Sequence, residues 1–209
     1  LHTLLAQDPA NRVPLSWQTI YPYPLARDVG HDGRVARVDQ QFRLFERLSP
    51  GVGSLHPLAA STPQECTEIT AHVFQSLRFD TTHFVPSYQQ WLIGEGHLAA
   101  FRFHKRFLQH LQGSSPGPHR RWVLKSPDHA HSIAALLAVF PDATIVQTHR
   151  DPADVLASSL RLIEVLHGTF AGPAGRGERA RREARVLADA TERLLGFREA
   201  HPERAGRFF

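Results

Sequence analysis

The chain has one cysteine, Cys66, and no methionine. A single thiol excludes an internal disulfide, and the expected setting is a reducing, cytoplasmic one. No apolar run reaches the ~18 residues that a membrane-spanning helix needs, and no secretory leader pattern occurs. A Gly-x-Ser-x-Gly turn, which would expose a hydrolase serine, is missing, and so is a Walker A loop. His129 and His131 lie two apart with no third ligand at a suitable spacing, so no metal site is expected. There is no internal repeat. The excess of positive charge is mild, +4 over 209 residues, and fits an anionic ligand as well as an ordinary solvated surface. Leu1, Leu4 and Leu5 share one helical face from the first residue without a cap. The sequence therefore reads as a segment of a longer protein, one domain over 1–209 that is incomplete at both ends.

What is present centres on the stretch RWVLKSPDHAHSIAALLAVFPDATIVQTHRDPADVLASS, residues 121–159. Trp122, Val123 and Leu124 form a short apolar run suited to a buried strand. Ser126-Pro127 breaks it. Ile133, Leu136, Leu137 and Phe140 then recur at helical spacing until Pro141-Asp142. Ala143 to Val146 reads as a second buried strand. His149-Arg150-Asp151-Pro152 closes it and opens a helix, with Asp151 as N-cap and Pro152 at the first helical position. Strand, helix, strand makes a βαβ unit, and ligands of such sheets bind beyond the carboxyl ends of the strands. Lys125 and Arg150 stand at those ends. Arg150 offers a rigid fork of donors suited to phosphate, and Ser158, eight residues on, lies about two helical turns along.

Those residues carry a family resemblance. HRDPADVLASS, with Arg150 and Ser158, resembles the 3′-phosphate-binding segment of sulfotransferases that use 3′-phosphoadenosine-5′-phosphosulfate (PAPS). LKSPDHA resembles the strand-end Lys motif of that family. The order W-x-L-K-x-P-x-H, F-P-D-A, H-R-D-P is similar to the bacterial sulfotransferase-like branch. The resemblance implies an α/β, P-loop-type three-layer fold, a central parallel sheet flanked by helices, with a helix-rich first half. It implies PAPS as co-substrate, a small-molecule hydroxyl or amine as acceptor, and no metal. LHTLLAQDPANR is similar to the helix that follows the family's phosphosulfate loop, which would fall before Leu1. Where the family often has an acidic residue after Trp17, this chain has Gln18.

The remaining elements are simpler. Residues 13–27 are an irregular segment rich in proline and aromatics, whose rings either line an acceptor pocket or pack. A helix is expected over Arg34–Leu48, with a loop over 49–61. Thr62-Pro63-Gln64-Glu65 opens the next helix, which runs to about Leu77, and Thr62 with Glu65 has capping-box spacing. Further helices are expected at Phe84–Leu92 and His97–Gln112. In the latter, Phe101, Leu108 and Leu111 form a core stripe, while His104, Lys105, Arg106 and His110 fall largely elsewhere. The aromatics of that basic helix have core spacing, so no nucleic-acid partner is expected. Gly113–Pro118 reads as a surface loop. Arg176, Arg179, Arg181, Arg182 and Arg185, interleaved with Glu178 and Glu183, read as a solvated helix face, and a long helix covers Glu183–Ala200.

Sulfuryl transfer needs charge stabilisation on the leaving phosphate, an aligned acceptor and usually a base. The resemblance gives Arg150 and Ser158 to the 3′-phosphate and Lys125 to the transferring group. In the cytosolic enzymes of the family a His follows the strand-end Lys by two positions. Here that place holds Pro127, and His129 comes two residues later. His129 is the first choice as base, followed by His131 and Glu65. Two other readings stand beside this one. A P-loop-type nucleotide kinase would need a Mg²⁺ carboxylate at a strand end, and Asp151 is too well placed as a helix cap. A non-catalytic nucleotide-binding fragment would keep the binding and lack turnover.

Overall fold

The computed structural model describes residues 1–25, 32–113, 120–172 and 175–209. The loop expected over Gly113–Pro118 lies outside them from residue 114 onward. In chain order the elements are α1 (His2–Leu5), β1 (Asn11–Arg12), α2 (Ser16–Ile20), α3 (Gly33–Leu48), α4 (Val52–Leu55), α5 (Cys66–Ala71), α6 (Arg78–His83), α7 (Pro86–Glu95) and α8 (Leu98–Gln112). Then follow β2 (Arg121–Trp122), α9 (Asp128–His131), α10 (Ile133–Val139), α11 (Pro152–Phe170), α12 (Arg176–Ala200) and a 3₁₀ turn at Pro202–Arg207. No helix among the described residues is long and apolar enough to cross a membrane. The chain divides into two compact units, one of Leu1–Ser76 with Arg102–Ser126, the other of Leu77–Phe101 with Pro127–Phe209.

In the first unit β1 and β2 pair in parallel, Asn11 opposite Arg121 and Arg12 opposite Trp122. Arg121 N donates to Ala10 O and Val123 N to Arg12 O, at 2.9 and 2.8 Å. Arg12 lies over the Trp122 ring, 4.6 Å from its centroid, and donates through Nη2 to Leu111 O at 2.7 Å. Trp17, Val38 and Ala60 are buried together, with Val35 and Phe42 of α3 packed on them. This is the apolar face that the spacing of α3 requires, and each fully buried large side chain stabilises by about 1.5–3 kcal/mol. Asp32 caps α3 by accepting from Arg34 N at 3.0 Å. Trp17 is thus a core residue. Tyr23 is exposed, and the Tyr21 hydroxyl accepts from Gln41. In α8, His104 is buried with Phe107, Leu108 and Leu111. The sequence reading put it on another face, but three and four residues separate it from Phe107 and Leu108, which places it on their stripe.

The second unit has its core at Phe101, Ile133, Leu136, Leu137, Val139 and Leu194, with Ile145, Phe197 and Phe208 against them. Ile145 makes a parallel bridge with Phe208. Ile145 N donates to Arg207 O at 2.7 Å, Phe209 N to Ile145 O at 2.9 Å and Gln147 N to Phe209 O at 2.8 Å. The expected strand at Ala143–Val146 is therefore extended, but its partner among the described residues is the chain's last segment. Short apolar runs announce an extended backbone without naming the neighbour that satisfies it. An α/β arrangement with a small parallel sheet of two strands forms among the described residues, in a chain that is mostly helical.

A buried polar node ties four helices of this unit. Asp80 of α6 accepts from Val85 N at 2.9 Å, from Gln89 Nε2 of α7 at 3.0 Å, and pairs with Arg182 of α12 at 2.5 Å. Its backbone carbonyl accepts from His167 Nε2 of α11 at 3.1 Å. The Arg182 guanidinium also lies 5.1 Å from the Phe84 ring centroid. Arg182 is thus not part of a freely solvated face, as its place in the arginine run suggests. A carboxylate distant in sequence draws it inward.

Candidate active site

Within the first unit, the structure brings Lys125 and Glu65 together across 60 residues of sequence. Lys125 follows β2, so the parallel pairing with β1 fixes where its backbone leaves the sheet. Its carbonyl then accepts from Cys66 N, the first residue of α5, at 2.9 Å. Glu65 immediately precedes α5. The segment before it is pinned to α2, with Ser16 N donating to Thr62 O at 3.0 Å and Gln64 N to Pro14 O at 2.8 Å. The Lys125 ammonium donates to Glu65 Oε1. The lysine side chain remains half exposed and that of Glu65 is 21% exposed. The capping box expected from Thr62 and Glu65 does not form. Glu65 makes no side-chain cap bond, and the Thr62 hydroxyl donates to Ala59 O. A charge-assisted bond to lysine outweighs a neutral cap bond, since ionised partners strengthen hydrogen bonds roughly twofold. The helix that Thr62 was expected to open spans only Cys66–Ala71.

A third side chain is hydrogen-bonded to the backbone two residues before Lys125, and sequence reasoning missed it. His2 Nε2 lies 3.1 Å from Val123 O, two residues before Lys125. Burial pushes its pKa below the ordinary imidazole value; Val123 opposes that shift, Lys125 adds to it, and Glu65 opposes it. A lone histidine in an apolar helical pattern gives no sequence signal of this. Gln18, where the resemblance led one to look for an acid, is buried, and its Oε1 accepts from Leu15 N at 3.1 Å. It closes the start of α2.

In the second unit, α11 begins as its sequence dictates. The Asp151 carboxylate accepts from Ala153 N at 2.8 Å, and Pro152 sits in the first turn. Asp151 is thereby committed as a cap. Arg150 and Ser158 are both exposed, and among the described residues no group engages either side chain. An aspartate already occupies the helix N-terminus, so an anion on this element would be held by side chains. A guanidinium presents a fork of donors suited to an oxyanion.

His129 lies in α9, in a different chemical setting. Its Nε2 is sealed from solvent without a hydrogen-bond partner among the described residues, although part of the residue keeps some exposure. The ring packs on Phe101, with centroids 6.0 Å apart. Burial, then the neighbouring His97, pushes its pKa down to about 4. His97 is likewise held at about 4, by burial first and then by His131 and Arg193. Its Nδ1 is 2.6 Å from Ser132 Oγ. His131 Nδ1 lies 3.4 Å from Asp189 Oδ2, and burial is the chief cause of its lowered pKa. The His97 and His129 rings are therefore neutral at pH 7. Among the described residues no group of three or more His, Cys, Asp or Glu is placed to hold a metal ion.

Comparison with known proteins points to one family. A family model described as "Sulfotransferase family" matches residues 1–209. Two solved structures resemble the chain along 99% of its length. Sulfotransferase STF9 from Mycobacterium avium is 31% identical at a TM-score of 0.85, and sulfotransferase STF1 from Mycobacterium tuberculosis H37Rv is 27% identical at 0.79. The chain spans about half the length of each, 53% and 56%. No curated protein matches it. With a family model that matches every residue, the chain belongs to the sulfotransferase family.

Proposed function

We propose that the protein transfers a sulfuryl group from PAPS to a hydroxyl or amine of a small-molecule acceptor. PAPS supplies the activated sulfonate, which leaves its 5′-phosphate as the acceptor oxygen or nitrogen bonds to sulfur. The observation that carries the reading is Lys125, placed by β2 at a strand end and facing Glu65. A half-exposed ammonium there can exchange its carboxylate for an anionic ligand and neutralise charge on a leaving phosphate. Glu65 then takes the acceptor's proton on a carboxylate oxygen. It suits this role better than His129, whose sealed Nε2 and pKa near 4 make it a weak proton acceptor at neutral pH. His131, paired with Asp189 and buried, is no better placed. Arg150 and Ser158 bind the 3′-phosphate and do not react.

A cytoplasmic setting belongs to the same proposal, on the ground that Cys66 is the single cysteine of the chain. Adenosine 3′,5′-bisphosphate, the product of the donor, provides the test. Calorimetry should show binding, and Arg150→Ala should weaken it about tenfold to a hundredfold, as expected for losing charge-assisted bonds of about 1.5–3 kcal/mol. Equal affinity in the variant would sink the phosphate site. ATP-dependent phosphoryl transfer in place of PAPS-dependent sulfuryl transfer would move the protein to the kinase class.

A further inference from the structure

We infer that His2 is a positioning residue of the Lys125–Glu65 site, anchoring the strand-end backbone from which Lys125 projects. The inference rests on the transfer reading for what the site does, but not for the existence of the cluster. The geometry is one of three segments. His2 comes from α1, Glu65 from the residue before α5, and Lys125 from the exit of β2. A backbone carbonyl can only accept a hydrogen bond, so the 3.1 Å contact with Val123 O requires the proton on Nε2. Nδ1 of the neutral ring then carries the lone pair. Val123 N is itself tied to Arg12 O at 2.8 Å. The peptide units on both sides of Val123 are thus held, one by β1 and one by His2. From that clamped residue, Lys125 is two steps away, and its carbonyl is held by Cys66 N.

The charges around the ring give it a second effect. Burial, Lys125 and the Leu1 amino group oppose a charge on His2, while Val123 O and Glu65 favour it. The opposing side prevails, so the ring takes a proton less readily than an ordinary imidazole. Once charged, it becomes a second cation beside Lys125 and competes for the Glu65 carboxylate. Glu65 is then a poorer proton acceptor. Transfer should fall on the acid side as His2 charges.

The first test needs no activity. His2 is followed by imidazole ¹H–¹⁵N NMR through a pH titration of the 209-residue chain, of Lys125→Ala and of Glu65→Gln. The midpoint should lie below that of free imidazole, rise in Lys125→Ala and fall in Glu65→Gln. A midpoint that moves in neither variant overturns the inference. The second test is kinetic. His2→Ala should lower kcat by about tenfold to a hundredfold, the usual cost of misplacing a reacting group, with KM little changed. His2→Gln restores an N–H at the ε position, so it should recover most of that loss while flattening the acid limb of the kcat profile. An acid limb unchanged in His2→Gln also overturns the inference. Expected NMR shifts in a protein that transfers no sulfuryl group would keep His2 in the cluster and sink the transfer reading alone.

Discussion

Arg182 and Arg150 both belong to the second unit, and the fold treats them in opposite ways. Arg182 is drawn to Asp80 at 2.5 Å, its guanidinium lies over Phe84, and its side chain is 20% exposed. Arg150 is exposed and engaged by nothing among the described residues. The sequence suggests the reverse emphasis in one respect, since Arg182 sits in a run of five arginines that reads as solvent-facing. The contrast separates two uses of one group. A guanidinium paired with a buried carboxylate holds helices together. One left at the mouth of a capped helix has its full fork available to a ligand.

Substitutions can break this contrast. The largest effect is expected from Asp80→Ala, which strands the half-buried Arg182 and empties the acceptors of Val85 N and Gln89. Loss of one partner of a buried pair costs about 3–5 kcal/mol, readable as a large drop in the urea midpoint. Arg150→Ala should leave that midpoint within about 0.5 kcal/mol, as exposed sites usually do. A comparable loss in both variants would erase the distinction. Comparable in size is an acid effect on buried neutral rings in the same unit. His97 and His129 hold protons less readily folded than unfolded, with folded values near 4. The unfolded chain therefore binds more protons between about pH 6.5 and 4, so stability is full above that window and falls as pH drops through it. The slope should be roughly 1 kcal/mol per pH unit for each ring, and His97→Gln should reduce it if the variant folds. The smallest effect is Ser158→Ala, about 1 kcal/mol or fivefold in bisphosphate affinity with no change in stability. No change in affinity would leave Arg150 alone as the contact.

Local signals in the sequence translated well. Asp151-Pro152 opened α11 as their side-chain chemistry dictates, and the apolar spacing of α3 and α10 gave helices that bury Val38, Ile133, Leu136 and Leu137. Long-range facts did not translate. Glu65 has a plausible partner three residues away in Thr62, and its real partner is 60 residues off. Ile145 was legible as extended, but Phe208 was not legible as its neighbour. His129 carries a motif position without the exposure that its proposed chemistry needs. Burial of that ring depends on Phe101, which no local pattern connects to it. His2 is the clearest omission, because its meaning comes entirely from β2 and the residues beyond it.

The only thiol in the chain stands at a telling place. Cys66 is 1% exposed, directly follows Glu65, and gives its N–H to the Lys125 carbonyl. An alkylating reagent can reach it only when that stretch opens, so its labelling rate is proportional to the open fraction when reclosing outpaces labelling. The chain thus carries its own clock for breathing at the charge pair. No second thiol is present to blur the reading, and any ligand that clamps Lys125 would slow it.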